Sequence, residues 1–155
     1  MKKIILLASF TLLSSCISTK NTIQNIDQTA AYPEIYENQF IIIEYATDMK
    51  YGYSQYYPVN IGFSVYENSN NKNVERYFNG LAGPNGEKLS YKLIETCCPF
   101  PSKNNKMGAG TLDLYEVSFE GISETKKIYI DTYERGKVMC PKGFTTKKID
   151  RTTKK

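Results

Sequence analysis

TLDLYEVSFEGISETKKIYIDTY, residues 111–133, alternates apolar and polar side chains on either side of one glycine, Gly121. A period of two marks a strand that turns one face to a core and the other to solvent. Two such runs, 111–120 and 126–133, separated by a short glycine-containing link, read as a β-hairpin.

The neighbouring segments extend this unit. KLSYKLIE (88–95) reads as a third strand, with Leu89, Tyr91 and Leu93 on one face. QFIIIEYA (39–46) is a continuous apolar run and reads as a central strand. YGYSQYYPVNIGFSVY (51–66) reads as one or two strands broken near Pro58, and KVMCPKGF (137–144) closes the domain. Between them, Asn73 reads as the N-cap of VERYFNGL, where Val74, Tyr77, Phe78 and Leu81 recur at helical spacing. Gly83-Pro84 stops that helix and PNGE (84–87) makes a turn. Strands, one helix and more strands give an α+β domain: a small, mostly antiparallel sheet with one short helix packed on it. Thirteen tyrosines and no tryptophan suit half-buried strands, and a carbohydrate-stacking face is the other use of so many rings.

The chain opens MKKIILLASFTLLSSC. Lys2 and Lys3 precede an apolar stretch from Ile4 to Leu13. Spanning a bilayer takes about 20 apolar residues; this shorter run fits the core of a secretory signal. Leu13-Ser14-Ser15-Cys16 resembles the bacterial lipobox, in which an aliphatic and two small residues precede an obligatory cysteine. The resemblance implies cleavage after Ser15, a diacylglycerol thioether on Cys16 and an acyl chain, typically palmitate, on the new amine. At about 0.8 kcal/mol per buried CH₂, several such chains anchor a protein lastingly. Ile17 in place of aspartate favours the outer membrane, facing the periplasm or the cell surface. The expected organisation is a signal peptide (1–15), a lipidated cysteine with a polar tether (16–38), one α+β domain (39–145) and a basic tail (146–155).

Charge and composition remove several classes of function. Residues 17–145 carry 13 basic and 15 acidic side chains, so the basic balance of the whole chain resides in its ends and gives no support to nucleic-acid binding. Without histidine, Ser-His-Asp and Cys-His nucleophile systems and histidine metal sites are excluded. No phosphate loop, dinucleotide fingerprint or EF-hand pattern is present. No cofactor or metal is called for.

The chemistry-bearing residues cluster around TCCPFPSKNNKMGAG (96–110), read as a loop that begins where Pro99 ends a strand. Once lipidation takes Cys16, three thiols remain, and four arrangements are open. Cys97 or Cys98 bridges Cys140, closing a loop worth about 3–4 kcal/mol in the chain-entropy model. Cys97 and Cys98 bridge each other, all three stay as buried thiols, or they serve redox or metal chemistry. Glu95, Pro99 and Phe100 flank the pair. Asp113 and Glu116 lie in the following strand on opposite faces, so a carboxylate pair within it needs Glu116 with Glu120. Lys88, Lys92, Lys126 and Lys127 occur in strands without an apolar pocket that suits Schiff-base chemistry.

Several motifs taken in order resemble a family of small bacterial outer-membrane lipoproteins. They are Tyr51-Gly52-Tyr53, Phe78-Asn79-Gly80-Leu81, Gly83-Pro84-Asn85-Gly86-Glu87, Cys97-Cys98-Pro99-Phe100, Leu112-Asp113-Leu114-Tyr115-Glu116-Val117 and Pro141-Lys142-Gly143-Phe144. The resemblance implies a lipid-anchored envelope protein without an established activity, partnered by the membrane and by an envelope protein or glycan. It also implies alanine where Cys140 stands, which leaves the adjacent pair a role that does not need Cys140. Similar chains sometimes carry the label 2-dehydro-3-deoxyphosphooctonate aldolase. That enzyme resembles a TIM barrel of about 250 residues, more than the 140 left after cleavage can build.

Overall fold

The hairpin at the centre forms as the alternation requires. In the computed structural model, which describes residues 21–63 and 67–149, nine elements follow in order. They are β1 (Ile35–Tyr36), β2 (Gln39–Phe40), β3 (Val59–Asn60), α1 (Glu67–Asn79), β4 (Leu81–Ala82), β5 (Leu89–Pro101), β6 (Ala109–Phe119), β7 (Ile122–Asp131) and β8 (Thr145–Thr146). One four-stranded sheet runs β3-β7-β6-β5, antiparallel except for the β3–β7 pair; β1–β2 and β4–β8 form two short antiparallel pairs. The fold is therefore α+β, with one helix among the described residues and a mostly antiparallel sheet.

β6 and β7 turn at Glu120-Gly121, where Gly121 takes φ +78°, a conformation glycine adopts without a Cβ penalty. Tyr115, Val117 and Phe119 of β6 stand on the same side as Ile128 and Ile130 of β7 and Leu89 and Tyr91 of β5. α1 covers that side: Val74, Tyr77 and Phe78 are buried, and Phe78 stacks on Tyr91 with ring centroids 4.3 Å apart. Tyr51, Val59, Ile61, Cys140 and Phe144 complete this main core. Gly80 ends the helix; a Cβ there would strike the Phe40 carbonyl oxygen.

Four expectations are corrected. The helix begins at Glu67, so Asn73 is no N-cap; it is buried mid-helix, its amide donating to Ile61 O (3.3 Å) and its oxygen accepting from Tyr32 (2.7 Å). Residues 39–46 are not a central strand. Only Gln39–Phe40 joins a strand pair, and further on the chain hydrogen-bonds residue 140, through Ala46 N to Cys140 O and Cys140 N to Glu44 O. Its apolar run splits, with Phe40 and Ile42 inward and Ile43 and Tyr45 outward. The tether expected over 16–38 does not extend beyond residue 20, because from Asn21 onward the chain lies on the domain. Gln24 N donates to Tyr56 O and Asp27 N to Arg135 O, each at 2.8 Å. At the other end Thr145–Thr146 pairs with Leu81–Ala82 and Lys147 N donates to Gly80 O, so the domain runs past residue 145. The signal peptide, Cys16 and the last six residues of the basic tail lie outside the described residues.

Ile128 is fully buried on the central hairpin, its terminal methyl 3.4 Å from where a Cβ on Gly52 would lie. Ile128→Ala is expected to lower stability by about 2–5 kcal/mol, read from the urea midpoint at unchanged slope.

Candidate functional site

The cysteines lie within a strand, not at the mouth of a loop. β5 continues through Cys97 and Cys98 to Pro101, and the loop proper is 102–108. Cys97 sits opposite Leu112 and Phe100 opposite Gly110, so β5 spends Cys98 and Pro99 against the single residue Thr111. This is a β-bulge. In an unbroken strand Cys97 and Phe100 would point to opposite faces; the extra residue puts both on the face away from α1. Cys98 takes φ +57°, left-handed territory for a residue with a Cβ. Pro99 does not end the strand, because β5 is the sheet edge and the bulge asks no ladder hydrogen bond of it. Cys97 and Cys98 form a vicinal disulfide.

The proposed bridge to Cys140 is thereby corrected. Cys140 is a free, buried thiol in the main core on the helix side, whereas Cys98 packs against a second core on the other side. The sheet separates them. Burial pushes the Cys140 thiol up to about 12, so it stays protonated.

That second core consists of Ile23, Phe100 and Leu112, with Ile26, Tyr129 and Tyr133 packed against it. Phe100 occupies the space over Gly110, where an added Cβ would lie 2.7 Å from the Phe100 ring. Beside it are two carboxylates that sequence reasoning missed. Glu134 accepts from Ser102 Oγ (2.6 Å), Asn104 Nδ2 (2.9 Å) and Gln28 Nε2. Asp131, fully buried, accepts through Oδ1 from the N–H groups of Tyr133 (2.7 Å) and Glu134 (3.1 Å). Burial above all, with the charge of Glu134 adding to it, raises the Asp131 carboxyl to about 7. Its Oδ2 has no hydrogen-bond partner, nor has Oδ1 of Asn60, the residue paired with Asp131 across β3–β7. The Asn60 amide is oriented by its donors, which reach Gln24 O (2.9 Å) and Asn25 O (2.8 Å). Nothing in the sequence signals Asp131, because alternation in KKIYID puts it on the face of Lys127 and Tyr129, where a polar residue is the ordinary expectation.

The candidates named from sequence do not converge. Glu95 is exposed on β5 opposite Leu114. Asp113 stands on the helix side and accepts from Thr96 Oγ1 at 2.6 Å. Glu116 stands on the opposite side, where a hydrogen bond and ion pair with Lys92 (2.7 Å) and the nearby Lys127 hold its carboxyl below the ordinary range. Glu120 lies in the turn beyond β6. Pro99 is exposed, Phe100 buried and Lys106 out on the loop. Among the described residues, no group of three or more Cys, Asp or Glu side chains is placed to hold a metal ion, and no helix is long and apolar enough to cross a membrane. The chain matches no family model, no curated protein and no solved structure.

Two tests follow from this geometry. With Cys97→Ser as background, adding Cys98→Gly is expected to leave the protein about 1–2 kcal/mol more stable than adding Cys98→Ser, since only glycine accepts φ +57° without cost; equal urea midpoints would contradict the bulge. A carboxyl raised from 3.8 to about 7 on folding contributes stability that is full below pH 4 and is lost as pH rises to about 7. Asp131→Asn keeps the acceptor and carries no ionisable group. Its stability relative to the parent is expected to improve by at least about 1 kcal/mol between pH 4 and pH 8, read by urea denaturation at each pH.

Proposed function

We propose that this protein is a cell-envelope lipoprotein, held at the outer membrane by acyl chains on Cys16. Its folded unit serves as a binding or scaffolding module for an envelope protein or glycan. The observation that carries the reading is Leu13-Ser14-Ser15-Cys16 following two lysines and a ten-residue apolar stretch. The ordered motifs that resemble small outer-membrane lipoproteins point the same way.

The folded unit supports a binding role more than a catalytic one. Asp113 and Glu116 face opposite sides of the sheet, and Glu134 is fully engaged by Gln28, Ser102 and Asn104. A hydrolytic or aldolase-type centre needs an ionisable group free to meet substrate beside a second one. The open side of β5 is a more natural contact region: it is the edge of the sheet, and Leu93 and Ile94 are exposed on it.

Mass spectrometry of the membrane-extracted protein tests the anchor. The expected mature chain begins at Cys16 with a thioether-linked diacylglycerol and an amide-linked acyl chain, and Cys16→Ser abolishes processing and detergent-phase partitioning. An uncleaved amino terminus, or cleavage without lipid, contradicts the reading.

A further inference from the structure

The lipid-anchor reading has a geometric corollary on which this inference rests. Asn21 is fastened to the domain, its amide donating to Pro101 O at 3.1 Å, and Ile23 is buried just beyond. Five residue steps separate Cys16 from Asn21. At about 3.6 Å each when fully extended, they reach about 18 Å. An anchor at Cys16 therefore keeps the Pro101 end of β5 close to the bilayer, and the 102–108 loop begins at the next residue.

That loop is built to present what it carries. Ser102 N donates to Gly108 O (3.1 Å) and Gly108 N to Asn105 O (2.9 Å), closing the turn. The Asn105 side chain accepts from Met107 N (3.0 Å), and Asn104 Nδ2 ties the loop to Tyr133 O (2.9 Å) and to the buried Glu134. Held at the tip, Met107 is 88% exposed, the most exposed of the large apolar side chains among the described residues. Lys103 and Lys106 are exposed beside it, and SKNNKMG contains no acidic residue. An unbranched apolar side chain between two cations matches the interface of an anionic bilayer, apolar below and phosphate above.

We propose that the 102–108 loop is a membrane-contact surface, in which Met107 enters the interfacial region and Lys103 and Lys106 meet anionic phosphate head groups. The contact fixes the orientation of a domain that a lipid chain alone would leave free to swivel. It points the β6–β7 turn, at the far end of an eleven-residue strand of about 37 Å, away from the membrane.

The absence of tryptophan makes the test direct. Met107→Trp and, separately, Glu120→Trp are introduced into the full lipidated chain. Each is reconstituted in vesicles of phosphatidylethanolamine and phosphatidylglycerol with brominated acyl chains. The indole at position 107 is expected to emit at shorter wavelength and to be quenched by bromine; the indole at position 120 is expected to stay accessible to aqueous acrylamide. Adding Lys103→Glu and Lys106→Glu to M107W is expected to lower the bromine-quenched fraction about fivefold or more. Vesicle flotation separates the two hypotheses. A protein that does not float refutes the anchor, and with it the premise of this contact. A protein that floats while the indole of M107W remains as accessible to acrylamide as that of E120W overturns the contact and leaves the anchor standing.

Discussion

One extra residue in an edge strand sets the architecture of this protein. The bulge at Cys98 and Pro99 brings Cys97 and Phe100 onto the same face of the sheet, where simple alternation would separate them. Phe100 then closes over Gly110 and Leu112 and creates a second core on the side that α1 does not cover. The disulfide between the adjacent cysteines lies at the same bulge, so a covalent ring holds the conformation that backbone preference alone disfavours at φ +57°.

The second core gives the amino-terminal segment a place to dock. Ile23 supplies one buried side chain, but most of the attachment is polar. Asn60 receives two carbonyls of this segment, while Asn25 exchanges hydrogen bonds with Lys137 at 2.9 and 3.2 Å. A side chain at Gly136 would strike Asn25 O, so the close approach needs glycine there. Beneath lie Asp131 and Glu134, whose hydrogen bonds join β7 to the 102–108 loop and to Gln28. Strap, carboxylates and loop therefore form one connected end of the molecule. The proposed anchor and the proposed membrane contact both belong to that end.

Much of the fold was legible because the hairpin obeys its period. Alternation over 111–133 gave both long strands, and the spacing of Val74, Tyr77 and Phe78 gave the inward face of the helix, although Leu81, counted with them, lies beyond its end in β4 and the helix stops before Gly83-Pro84. The start of the helix was not legible, since Glu67 to Lys72 have no apolar member to show periodicity. The run at 39–46 misled because a central strand and an irregular segment with alternate side chains buried share the same composition. The amino-terminal segment was missed because hydrogen bonds between polar side chains and distant main-chain groups hold it, and composition does not record those partners. For the candidate site, sequence placed Asp113 and Glu116 on opposite faces, as the register has them. It left the disulfide open, since excluding Cys140 requires knowing that a sheet stands between the thiols. Asp131 and Glu134 gave almost no signal; their importance comes from burial and partners, which are tertiary properties.

The most direct measurement of this account is native-state hydrogen exchange at the amides of Gln24 and Asp27, which the structure ties to Tyr56 O and Arg135 O. If the segment is an integral part of the domain, both amides exchange only through opening of the second core, at least about a hundredfold more slowly than in a free peptide of the same sequence. Exchange at the free-peptide rate would mean that the segment is a tether after all. The second core would then lack the partner for which the bulge at Cys98 prepares it.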